Sequence, residues 1–354
     1  MLRLGTALPL QNLVPGQQVA YIQQAEVSGY EGVWVPEVMG TDAFTILAAA
    51  SQVTQRLRLG TGIVPIYTRT PTTLAMTIAT LDALSGGRAV LGLGVSSEII
   101  IGAWHGLPFP KPLGAMREAV DIIRRLLRNE RVTAEGTCFR VRNLRPNVPV
   151  PSDRTIPMYI GALNPGMLRL AGAIADGVIL NWMPAAHVPR AIEAVAAGAQ
   201  RAGRALADID VACYIRVCVT DDLEAARQWM RRELTGYAIV DAYHAYFTAC
   251  GFGAESTACR AAWQAGDRAG ATQYISDAMV HALAAIGSPE GITPIARRPV
   301  RLPLVFLSAA ISCCSDDQLS RMAFAQLKTR SPSGVSPWNR CPRSTIGTPS
   351  SCSS

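Results

Sequence analysis

The chain has 354 residues, 49% hydrophobic and 17% charged, which suits one large α/β barrel or two smaller domains. Its formal charge of +7 gathers near the C-terminus, because residues 288–354 carry eight arginines and lysines against three acids; the remaining body is near neutral, which excludes a large nucleic-acid-binding face. Nine cysteines at irregular spacing, with no CxxC pair, signal neither a zinc site nor a redox dithiol, and the expectation is reduced thiols in a cytoplasmic protein.

Strand-like and helix-like segments alternate from the start. Residues 2–8 read as a strand and 16–28 as an amphipathic helix; 32–36 (GVWVP) read as a short apolar strand, and 42–53 as an alanine-rich helix capped by Asp42. The run RLRLGTGIVPIYTRTPTTLAMTIATLDALSGGRAVLGLGVSS, residues 56–97, is the most informative. Leu57 and Leu59 lead a buried strand into an unusual turn at residues 60–65. Pro71 opens a helix, Ser85-Gly86-Gly87 stops it, and residues 89–93 form a continuous apolar strand. Two strands joined by one helix make a right-handed parallel βαβ unit, whose chemistry belongs at the carboxyl ends of the strands, here Gly62-Ile63 and residues 94–97.

Residues 115–128 carry a helical stripe (Ala119, Ile122, Ile123, Leu126, Leu127), and 131–145 read as a hairpin around Glu135-Gly136. The alternation resumes with a strand at 157–161, a helix at 165–175, a strand at 176–182, a helix at 185–204 and a seventh strand at 211–219. Residues 221–283 are almost wholly helical, longer than a barrel helix requires. They define a helical insertion, residues 221–285, before an eighth strand at 302–307 and a closing helix at 315–327. The expected fold is therefore an α/β (β/α)8 TIM barrel over residues 1–330. A doubly wound open sheet is the alternative, disfavoured because no GxGxxG follows the first strand. Residues 331–354, rich in Ser, Pro, Thr and Arg, read as a disordered tail. The opening residues turn polar too quickly for a signal peptide. The longest apolar run, residues 302–314, is shorter than the ~20 residues a membrane helix needs, so no membrane association is expected.

The motifs GTGIVPIYTRTP, LDALSGGRAVLGLGVSS and ADGVILNW resemble the bacterial luciferase-like superfamily, and most of all its branch of oxidoreductases using the deazaflavin coenzyme F420. The likeness spans about residues 1–287 and resumes at the last strand. It implies a (β/α)8 barrel with an insertion before strand eight, a cofactor ring over the carboxyl ends of the strands, and a non-prolyl cis peptide at the end of strand three, where Thr61, Gly62 and Ile63 stand. It also implies a cofactor-facing loop at Ser96, Ser97 and Glu98, and a phosphate-binding turn at Gly161, Ala162, Leu163 and Asn164 before a helix N-terminus. Relatives usually have glycine at the Asn164 position, so a left-handed backbone is expected there.

Glu37 matches an acidic residue that approaches the ring, and it also reads as a salt-bridged carboxylate at the barrel top. The histidine that follows it in some members is Val38 here. Asn181 reads either as a site residue or as a loop hydrogen-bonder, and Trp182 as packing. His105, His187, His244 and His281 make no metal spacing; only His105 is an acid–base candidate, beside Glu37 and Glu98. No metal is expected, and no GxSxG elbow is present.

The resemblance implies hydride transfer to or from F420 on a small-molecule substrate, in a protein that is often a homodimer. An FMN-dependent monooxygenase using reduced flavin and oxygen is the alternative. Residues 288–301 (SPEGITPIARRPVR) hold Pro294 and Pro299 where the family has an amphipathic helix, which motivates a third reading, a degraded inactive paralogue.

Overall fold

Apolar strands alternating with one-sided helices bury both sheet faces only if the sheet closes on itself inside a helical ring. The computed structural model describes residues 3–8, 13–147, 150, 154–288 and the backbone of 304–309. β1 (Arg3–Ala7) feeds α1 (Pro15–Val27), and β2 (Gly32–Val35) feeds α2 (Ala43–Ser51). β3 (Arg58–Thr61) and the two-residue β4 (Val64–Pro65) feed α3 (Pro71–Leu84), and β5 (Ala89–Gly94) feeds α4 (Pro112–Leu127). The antiparallel hairpin β6 (Val132–Glu135) and β7 (Arg140–Leu144) interrupts the rhythm as expected. β8 (Met158–Gly161), α5 (Pro165–Ile174), β9 (Gly177–Asn181), α6 (Val188–Arg201) and β10 (Asp210–Val219) restore it. The insertion is five helices: α7 (Leu223–Ala238), α8 (Asp241–Ala249), α9 (Gly253–Gln264), α10 (Arg268–Gln273) and α11 (Asp277–Leu283). β11 (Ala284–Gly287) and β12 (Leu304–Ala309) complete the order.

Parallel pairing runs β12-β1-β2-β3-β5-β8-β9-β10 and returns to β12, so the eight-stranded barrel is closed. β11 was not expected. It forms because β10 outruns β9: their pairing ends at Tyr214↔Asn181, and β11 pairs with Arg216–Val219 beyond it. The local signals behave as the sequence implies. Asp42 caps α2, its Oδ1 accepting from the Thr45 amide at 2.7 Å, and prolines occupy the first turn of α3, α4 and α5. The stripe of α4 is fully buried.

The barrel interior is filled by three large aromatics, each resting on glycine. A Cβ on Gly60 would lie 2.6 Å from the Trp34 ring, one on Gly177 2.7 Å from Tyr159, and one on Gly62 2.0 Å from the Tyr214 hydroxyl. Trp34 and Tyr159 meet with ring centroids 5.2 Å apart. Below them, at the amino ends of the strands, Asp210 accepts from Arg3 Nη2 at 2.6 Å and from the Tyr159 hydroxyl. Burial pushes the Asp210 carboxyl up, but the Arg3 and Tyr159 hydrogen bonds outweigh it and hold the group below its ordinary value. Its contribution to stability is therefore complete above the unfolded-state value and lost as pH falls through the depressed folded-state value. Asp210→Asn is expected to flatten the decline in urea-unfolding free energy between about pH 5 and about pH 3; an unchanged slope would show that this carboxylate is not part of the acid limb.

Among the described residues no helix is long and apolar enough to cross a membrane, and no group of His, Cys, Asp and Glu is placed to hold a metal ion. Of the described cysteines, Cys138, Cys213, Cys250 and Cys259 are free thiols. The expected helix at 315–327, the tail at 331–354 and all of the atypical 288–301 segment after Ser288 lie outside the described residues.

Candidate active site at the barrel mouth

Regular pairing of β3 with β5 ends at Gly60↔Val90. The Thr61 hydroxyl then replaces the ladder, accepting the Gly92 amide and donating to the Gly92 carbonyl, both at 2.8 Å. The backbone swings inward until the Thr61 carbonyl oxygen lies 2.0 Å from where a Gly92 Cβ would sit. The Gly62-Ile63 peptide that follows is cis. Three hydrogen bonds fix it from three sides: Gly62 N–H to Val35 O at 2.8 Å, Glu37 N–H to Ile63 O at 3.2 Å, and the Tyr214 hydroxyl to Gly62 O at 2.9 Å. Burial raises the Tyr214 phenol above its usual range, which keeps it a donor. β4 then rejoins β5 at Leu93 and Gly94. The Ile63 side chain spreads across the mouth over two glycines, its Cδ1 2.1 Å from a Cβ position on Gly94 and its Cγ2 3.3 Å from one on Gly161. The result is a floor of one apolar side chain and bare main chain, closing the barrel core from above.

The rim residues fall into two groups. Glu37 is held by structure: its carboxylate takes both Nε and Nη2 of Arg69 at 3.0 Å and the Ala43 amide at 3.1 Å. Arg69 also pairs with Asp42 and lies 5.1 Å from the Phe44 ring centroid, so Glu37 is the salt-bridged carboxylate of the barrel top. Ser96 is left-handed (φ 60°), and Ser97 Oγ accepts the Ile100 amide at 3.4 Å. These residues lead into a π-helix, Ile99–Trp104, that the sequence reading lacked. Glu98 and His105 flank that turn, and both are solvent-exposed.

On the far rim Gly161 ends β8, the Ala162 amide extends the ladder to Ile179 O at 3.0 Å, and Leu163 packs against the insertion. Asn164 is extended (φ −89°, ψ 151°), which corrects the expected left-handed turn. No side chain caps α5, so the amides of its first turn face an open helix N-terminus.

Sequence reasoning missed a polar cluster at the ends of β9 and β10. Asn181 Oδ1 accepts from Arg216, and its Nδ2 donates to the Tyr243 hydroxyl of the insertion at 2.7 Å. Arginine has no acceptor, so this amide orientation is fixed. The Arg216 guanidinium lies 4.0 Å from the centroid of the Trp182 ring. Trp182 itself is left-handed (φ 50°), unusual for a bulky residue, which carries its ring out of the barrel and under the insertion. Burial raises the Tyr243 phenol, so it too remains protonated. The available signal was the lone arginine in the apolar strand VACYIRVCV, two positions after Tyr214 and hence on the same face.

The profile of the luciferase-like monooxygenases matches residues 3–295. The chain belongs to that family. Within it, the chain is 37% identical over 244 residues to Rv3520c of Mycobacterium tuberculosis, provisionally named a coenzyme F420-dependent oxidoreductase, covering 64% of this chain and 69% of that protein. It is 34% identical over 258 residues to the F420-dependent glucose-6-phosphate dehydrogenase of Beutenbergia cavernae, covering 66% and 75%. Its structure is similar to that of the coenzyme F420 dependent tetrahydromethanopterin reductase of Methanopyrus kandleri, with a TM-score of 0.76 and 26% identity over 92% of this chain and 98% of the other. This luciferase-like barrel thus shares its overall fold with that reductase.

Proposed function

We propose that the chain is an oxidoreductase that moves a hydride to or from coenzyme F420, with a small organic molecule as the other reactant. The observation that carries this reading is the Ile63–Gly94–Gly161 floor, a flat apolar surface suited to one face of a planar heterocycle, in a chain whose relatives are named for that coenzyme. When bound, the coenzyme supplies the hydride-carrying carbon, C5 of the deazaflavin; the protein supplies shape, dryness and polarity. Ile63 and the bulge behind it, braced by Tyr214, Val35 and the Glu37 amide, form a rigid back wall. The open N-terminus of α5, after Gly161, Ala162, Leu163 and Asn164, receives the phosphate of the coenzyme. Ser96 and Ser97 offer hydroxyls at the rim, whereas both ends of the Asn181 amide are taken by Arg216 and Tyr243. Thr61 acts through the main chain, since its hydroxyl is held by Gly92. Glu37 is a positioning residue, held by Arg69 and the Ala43 amide; the solvent-exposed Glu98 and His105, on the loop after β5, are the acid–base candidates.

Titrating the purified protein with F420 or FMN, and following cofactor fluorescence, tests the assignment. Saturable F420 binding is the expected result. Tight FMN binding without F420 binding overturns it in favour of the flavin monooxygenase. A cooperative melt raised by F420 disposes of the inactive-paralogue reading.

A further inference from the structure

The inner face of β10 carries Ala212, Tyr214 and Arg216 in succession. Ala212 and Tyr214 belong to the interior cluster with Trp34, Tyr159 and Ile179, whereas Val211 and Cys213 pack outward against the helices. Arg216 therefore stands one layer above Tyr214, at the mouth. β10 and β3 lie on opposite sides of the closed barrel, so Arg216 faces the Ile63 floor from the wall covered by the insertion.

Its surroundings are built to hold a cation without neutralising it. The guanidinium rests on the face of Trp182, with the rings of Tyr214 and Tyr237 at 5.7 and 6.0 Å from its centre. One nitrogen donates to Asn181, and that amide is anchored in turn by Tyr243. No carboxylate lies within ion-pair distance of Arg216 among the described residues, in contrast to Arg3, Arg69, Arg124 and Arg231. Aromatic faces attract a guanidinium from above and below its plane and leave the in-plane N–H fork for a ligand. A half-buried cation without a counter-charge is costly unless an anion completes it.

We propose that Arg216 is the anion-recognition group of the substrate pocket, and that the substrate carries a carboxylate or phosphate which the Arg216 fork grips in two-point fashion. Asn181 and Tyr243 position the fork, and Trp182 sets its plane. The word substrate rests on the function proposed above; the anion site itself does not. The wall bearing Arg216 is opposite the proposed coenzyme backstop, so a bound oxyanion would orient the reactive end of a small molecule toward the ring.

The test uses the full chain, free and loaded with F420, titrated with inorganic phosphate and separately with acetate, with tryptophan emission and melting temperature as readouts. Loading with F420 occupies the α5 N-terminus, the other place where phosphate would bind. The expected result is saturable binding of at least one probe to the loaded protein, with the preferred probe naming the substrate's anion class. Arg216→Gln should raise that Kd about tenfold or more while leaving F420 affinity unchanged, and Arg216→Lys, which keeps the charge but loses the fork, should fall between. Probe binding that Arg216→Gln leaves unaltered, or no saturable binding of either probe to wild type, overturns the proposal. Should Arg216→Gln fail to fold, Arg216→Lys alone decides, because undiminished two-probe affinity in that variant is incompatible with a bidentate grip. Failure of F420 to bind sinks the proposed function instead, and the same comparison on the free protein still judges the anion site.

Discussion

Trp182→Ala is expected to cost about 3–5 kcal/mol, the largest loss among single side-chain truncations at the mouth. Trp182 is 1% exposed and sits in the insertion core with Met230, Leu234, Phe247 and Met279, edge-on to Tyr237 at 5.3 Å. It is the point at which a barrel strand enters the core of the inserted helices. Truncation leaves a cavity there and removes the surface on which Arg216 lies. Trp182→Phe separates the two kinds of loss. Among the described residues the buried Trp182 Nε1 has no hydrogen-bond partner, so removing that N–H sacrifices no bond and relieves an unmet donor. The phenylalanine variant should therefore stay close to wild type in urea denaturation while the alanine variant falls far short. Equal destabilisation by both would mean that the indole, not the volume, supports the insertion.

Gly92→Ala is expected to destabilise the barrel by about 3 kcal/mol and to abolish coenzyme binding together with the rigid bulge. Here the obstacle is not a side chain that can rotate away. The Thr61 carbonyl oxygen lies 2.0 Å, and its carbon 3.1 Å, from the new methyl group. Relief requires the strand end to retreat, which breaks the two 2.8 Å bonds that Thr61 makes to Gly92 and shifts the floor. Gly40→Ala, on a loop with open space around the added carbon, is the matched control and should be indistinguishable from wild type in its melt and its F420 titration. A Gly92→Ala protein with normal stability and normal F420 affinity would show that the inward carbonyl is not needed.

Much of the architecture was legible because the signals were redundant. The barrel strands from β1 to β10 are each followed by a proline or a polar cap at a helix start, and the hairpin at 131–145 broke the pattern visibly. The Gly62-Ile63 position was legible only through resemblance, since no periodicity encodes a cis peptide. The backbone of Asn164 was misread although its own neighbour carried the answer: Pro165 restricts the residue before it to extended conformations, so a left-handed turn was disfavoured whatever relatives have there. The π-helix at Ile99–Trp104 was invisible because an extra residue per turn leaves no mark in a six-residue apolar run. β11 was missed because AAIG is too short to alternate and forms only where β10 overhangs its neighbour. Glu37 could not be settled from sequence, since its fate depends on Arg69, 32 residues away, and on the start of α2. Arg216 was the opposite case, a readable residue passed over, because an arginine alternating with core positions in a buried strand already points at the barrel axis.

The Ile63 floor proposed for the coenzyme has an evolutionary corollary. Beyond Ile63, it is composed of peptide units whose glycines leave little space, since a carbon added at Gly94 or Gly161 would press on the Ile63 side chain at 2.1 and 3.3 Å, so point mutation reshapes the floor chiefly by displacing that one side chain. Variation in chemistry must then arise from the opposite wall, where Arg216, Asn181 and Tyr243 belong to a strand end and a separate helical module. Swapping that module between relatives would change which molecules are accepted while the redox half of the reaction stays the same.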